Sequence, residues 1–137
     1  MGGRIKKLKK IKKIKSKQPG NHVILNIYFK EFPLAFESVS FGEKFFRQAI
    51  KKGGFKILKT GFYKFKPQGV TGFFLLSESH LSFHTWPEEN YVAIDLFTCS
   101  DTLSTKRSLN YIIKEIKKYK VKKIDQQLIR RGFVYQG

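Results

Sequence analysis

The 137-residue chain has a single cysteine. No internal disulfide can form, and a reducing cytoplasm is the compartment this implies. It has no run of eighteen apolar residues, so no membrane-spanning helix is expected. The N-terminus lacks the apolar stretch of a secretory signal, and being rich in Lys rather than Arg and Ser it makes a poor transit peptide. Acids are scarce: 10 Asp and Glu stand against 28 Lys and Arg, a net charge of +18. Half of that excess sits on residues 1–18, which hold Arg4, Lys6, Lys7, Lys9, Lys10, Lys12, Lys13, Lys15 and Lys17 and no acid. The 41% hydrophobic and 15% aromatic content excludes wholesale disorder, and the length suits one domain.

The four prolines and the paired glycines mark the breaks. Gln18-Pro19-Gly20-Asn21 separates a basic tail, residues 1–19, from a domain over 20–137. In the tail, Ile5, Leu8, Ile11 and Ile14 recur every three residues, so an apolar stripe would drift around a helix. The tail reads as a solvated, largely disordered extension, with RNA or an anionic membrane surface as its possible contacts. His22 to Phe29 alternates as a strand. Ser40 with Glu43 suggests a capping box for a helix whose stripe is Phe41, Phe45, Ala49 and Ile50, stopped by Gly53-Gly54. Strands follow over about 55–66, 70–78, 80–86 and 91–99. A second helix carries Leu109, Ile112, Ile113 and Ile116, and a last strand covers about 121–133. The order β-α-β-β then β-β-α-β predicts an α+β two-layer sandwich, with two helices on one face of an antiparallel sheet. The face without helices then invites a second subunit.

The chemistry concentrates between Gly69 and Ser100, GVTGFFLLSESHLSFHTWPEENYVAIDLFTCS. Two of three histidines, the one tryptophan and the one cysteine lie there. His80, His84 and Cys99, with Glu78, could be offered as a zinc set, but no tight His/Cys pair supports it. Ser79, His84 and Asp95 would suit a hydrolase, but the G-x-S-x-G elbow is absent.

LSESHLSFHTWPE followed by AIDLFTC, with FKPQGVTG upstream, resembles the prokaryotic class of pyruvoyl-dependent S-adenosylmethionine decarboxylase proenzymes, over most of the chain from about residue 20. The resemblance implies self-cleavage between Glu78 and Ser79, which turns Ser79 into a pyruvoyl cofactor able to form a Schiff base with the substrate amine. It casts His84 as the processing base, Thr71 in the place of a processing serine, and Cys99 as the proton donor. Phe65, Trp86 and Glu88 become substrate contacts: the aromatic faces can stack on adenine and attract a sulfonium, and the carboxylate can hold ribose hydroxyls. No metal is called for. A homodimer of processed protomers, sheets packed in an αββα arrangement, is implied, with spermidine biosynthesis as the setting. The pyruvoyl motif would look the same in a decarboxylase of arginine or ornithine. A basic binding module for RNA or membranes is the reading from another class. Ser79 and His84 are five residues apart, so regular alternation points them to opposite faces. One pocket holding both requires a bulge, or a new terminus that swings after cleavage.

Overall fold

A computed structural model of the chain describes residues 20–99 and 102–132. The basic tail and the last residues lie outside them. Strand β1 (Gly20–Phe29) leads through a 3-10 turn (Leu34–Glu37) into helix α1 (Val39–Gly53). Strands β2 (Ile57–Lys64), β3 (Val70–Leu76), β4 (Ser79–Trp86) and β5 (Tyr91–Thr98) follow, then helix α2 (Thr102–Ile116) and strand β6 (Val121–Arg131). All pairings are antiparallel, in the order β2-β3-β4-β5-β1-β6. The two-layer architecture agrees with the expectation. The two halves interleave, however, because β1 is threaded between β5 and β6 of the second half.

Alternation along the central strands follows from one-sided covering. Val23, Leu25 and Ile27 of β1, Leu81 and Phe83 of β4, and Val92, Ile94 and Leu96 of β5 point under the helices and are buried. Residues between them face the side without helices. Helix α1 starts two residues earlier than the Ser40 capping box predicts. Its cap is Ser38, whose Oγ accepts the Phe41 N–H at 3.2 Å. Gly54 ends it at φ 78°, a left-handed conformation that glycine adopts without a side-chain clash. Of the predicted stripe, Phe45, Ala49 and Ile50 are buried, joined by Phe46, which stacks on Phe83 at 4.4 Å. On α2, Leu109, Ile112 and Ile116 are buried together with Ser108, whose hydroxyl donates to the Ala49 carbonyl at 2.7 Å and ties the helices together. Among the described residues no helix is long and apolar enough to cross a membrane.

Phe46 is fully buried between the layers. Phe46→Ala should lower the unfolding free energy by about 3–5 kcal/mol, and Phe46→Leu by less, in urea titrations followed by circular dichroism.

Candidate active site

The strand ladder sorts the sequence-predicted residues into two groups. One gathers at the corner between β3 and β4. Leu76 pairs with Ser79, so Ser77 and Glu78 alone make the turn, and β4 begins at Ser79 itself. Ser79 has φ 133°, outside the regions open to a residue with a side chain. It is held there because it is paired on one side to Leu76 and on the other to Thr98. Such a conformation costs of order 1–3 kcal/mol and persists only when its surroundings impose it. The Cys99 N–H donates to the Glu78 carbonyl at 2.9 Å, polarising the carbonyl of the bond that joins Glu78 to Ser79. The Cys99 thiol lies 3.6 Å from the Ser79 hydroxyl, and Ser77 Oγ donates to the Glu78 carboxylate at 2.6 Å. Cys99 is exposed and free.

The second group surrounds a cavity of about 650 Å³ at the other end of β4, lined by Phe65, Gln68, Thr71, His84, Trp86 and Glu88 among others. Thr71 and His84 are cross-strand partners, and Thr71 Oγ1 sits 2.9 Å from His84 Nδ1. Trp86 stacks on Tyr91 at 5.4 Å, and Tyr91 on Tyr28 at 5.1 Å. The Tyr91 phenol donates to Asn26 Oδ1, and burial, helped by Tyr28, Asp95 and Asp125, pushes its pKa above the ordinary value. Glu88 accepts from Gln68 Nε2 at 3.2 Å, so its carboxylate has a fixed orientation beside the cavity.

The two groups do not meet within one chain. Five residues along a strand span roughly 16 Å from Ser79 to His84. The ladder on both sides of β4 is continuous, so the bulge that would bring them together is absent. The zinc and hydrolase sets fail for the same reason. Among the described residues no three His, Cys, Asp or Glu side chains converge to hold a metal ion. Asp95 pairs with His22 at 3.1 Å. Sequence reasoning missed the Cys99 N–H and Gln68, because both contacts depend on register between distant segments.

The fold is that of a small two-layer α+β domain with a cavity on the face without helices. A sequence profile for S-adenosylmethionine decarboxylase matches residues 21–132. The S-adenosylmethionine decarboxylase proenzyme of Persephonella marina is 38% identical over 118 residues, 86% of either chain. That of Methanococcus maripaludis is 39% identical over 121 residues, 88% of this chain and 96% of its own. The crystal structure of the adenosylmethionine decarboxylase from Aquifex aeolicus superposes with a TM-score of 0.77 at 30% identity, covering 88% of this chain and 97% of that one. The chain belongs to the S-adenosylmethionine decarboxylase family.

If the corner is strained at Ser79, Ser79→Gly should be more stable than Ser79→Ala by about 1 kcal/mol, since glycine tolerates positive φ. Thermal melts of the two variants compare them directly, and equal stability would show that the φ carries no strain.

Proposed function

We propose that the protein is a self-processing pyruvoyl-dependent decarboxylase that acts on S-adenosylmethionine, releasing carbon dioxide and supplying the aminopropyl donor for spermidine synthesis. The observation that carries this is the corner at Ser79. A strained residue presents its hydroxyl beside a carbonyl already hydrogen-bonded by the Cys99 N–H. Attack of Ser79 Oγ on the Glu78 carbonyl carbon forms an ester as the C–N bond breaks, and relieves the strain at Ser79. The Cys99 N–H stabilises the charge that develops on the oxygen. Removal of the Ser79 α-proton expels the Glu78 carboxylate, and water then releases ammonia and leaves a pyruvoyl group on residues 79–137. Residues 1–78 form the other chain. The relatives' designation as proenzymes accords with this.

The α-proton needs a base, and His84 is the candidate. Thr71 Oγ1 lies 2.9 Å from Nδ1, and in the tautomer that carries its hydrogen on Nδ1 the Nε2 atom is free to accept a proton. A second copy resolves the separation along β4. The face without helices exposes Tyr63, Phe65, Phe73, Leu75 and Trp86, an apolar surface suited to an isologous sheet-on-sheet contact. With the two copies antiparallel, the Ser79 end of one meets the Thr71–His84 cavity of the other, and two equivalent sites result. In each, Phe65 and Trp86 offer faces for adenine and the sulfonium, and Glu88 holds the ribose hydroxyls. The pyruvoyl ketone supplies an electron sink for the pair left when carbon dioxide departs. Cys99, beside Ser79, returns the proton to the substrate's α-carbon. A reducing cytoplasm keeps that thiol free.

Intact mass should show chains of residues 1–78 and 79–137 in wild type, and one uncut, inactive chain in Ser79→Ala. Carbon dioxide release should favour S-adenosylmethionine over arginine and ornithine; preference for either amino acid would reassign the substrate. Co-expressing Ser79→Ala with His84→Ala should cut the His84→Ala chain in mixed dimers, while His84→Ala alone stays uncut or stalls at the ester. Failure of this complementation would place the base in the same chain as Ser79.

A further inference from the structure

One wall of the cavity is the hairpin loop 65–69, which carries Phe65 at its start and Gln68, the partner of Glu88, near its end. A five-residue loop holding two substrate-facing groups needs a reason to keep one shape. Its base is closed by the last strand pair, Lys64 with Val70, by the Phe65 N–H to the Gly69 carbonyl at 2.8 Å, and by the Val70 N–H to Thr85 Oγ1 at 2.8 Å. The Gly69 N–H remains. Gly69 is buried at φ 101°, where a Cβ would meet the Thr85 carbonyl at 3.2 Å. Glu37 reaches it. One carboxylate oxygen, Oε1, accepts the Gly69 N–H at 3.2 Å and the Lys64 ammonium at 2.9 Å, bridging the two ends of the loop.

Glu37 can hold that position because of its neighbour. It ends the 3-10 turn Leu34–Glu37, and the preceding Phe36 is fully buried, edge-on to Phe41 at 5.0 Å and Phe45 at 5.3 Å. Phe36 thereby anchors the turn in the core under the helices, and the Glu37 carboxylate extends to the base of the loop. An exposed Glu–Lys pair alone would contribute little. A carboxylate that satisfies a buried backbone donor does more, because losing it leaves the donor without a partner.

We propose that Glu37 is a positioning residue for substrate recognition, clamping the 65–69 loop so that Phe65 and the Gln68–Glu88 pair are set for the nucleoside. This rests on the reading of the cavity as the substrate site. The test uses the full chain as wild type, Glu37→Gln and Glu37→Ala. Glu37→Ala should cleave fully and keep kcat within about twofold, while KM for S-adenosylmethionine rises about tenfold, the size of one lost charge-assisted hydrogen bond. Glu37→Gln, whose amide oxygen still accepts the Gly69 N–H, should recover most of that loss. Amide hydrogen exchange over residues 65–69 without substrate should be faster in Glu37→Ala and near wild type in Glu37→Gln. Unchanged exchange in Glu37→Ala, equal impairment of both variants, a fall in kcat without a change in KM, or incomplete cleavage would each overturn the assignment. Wild type that neither binds nor decarboxylates S-adenosylmethionine would sink the substrate reading instead, and the exchange comparison would still decide whether Glu37 clamps the loop.

Discussion

Strand β4 is paired with β5 over its whole length and with β3 from Ser79 to His84 without a bulge, and this continuity governs the rest of the molecule. It forces Ser79 into a backbone conformation that its side chain disfavours, because the ladder fixes the residues on either side of the turn. It also keeps the two ends of the strand apart. A flexible β4 would relax the corner and let the chain fold back on itself. A rigid one keeps Ser79 and His84 apart within the chain, and on the reading we propose the two meet only between copies.

Charge fits this division. The chain is strongly basic, yet the substrate we assign is a cation, so long-range attraction cannot assist binding. Recognition has to come from the short range, through aromatic faces and oriented carboxylates. Lys64, just before the 65–69 loop, is paired with Glu37, and Glu88 is held by Gln68 beside the cavity. On the helix layer, Glu43 faces Arg47 and Glu115 faces Lys118 at the surface, away from the site.

Much of this was legible in the sequence. Period-two alternation announced the central strands, because one face packs under helices and the other does not. The helix stripes were visible in Phe45, Ala49 and Ile50 and in Leu109, Ile112 and Ile116. The start of α1 was misread, since Ser38 and Ser40 are equally good caps locally and only the turn before them decides. Phe65, Trp86 and Glu88, named together as substrate contacts, lie together, and Thr71 and His84, assigned to processing alongside Ser79, line the same cavity. The distance between that set and Ser79 was not foreseen. Face alternation suggested either a local irregularity in β4 or a terminus that swings after cleavage; the ladder has no irregularity from Ser79 to His84. Backbone groups such as the Cys99 N–H leave no mark on a sequence, because any residue except proline could supply them.

The threading of β1 between β5 and β6 has a further consequence. A cut before Ser79 divides the molecule into a piece holding β1, α1, β2 and β3 and a piece holding β4, β5, α2 and β6. The two pieces are interlocked like fingers. To part, they would have to unzip the β3–β4, β5–β1 and β1–β6 seams and pull apart the two packed helices. The severed protein should therefore persist as one durable body, matured once and never rejoined, so that its working life ends only with its destruction.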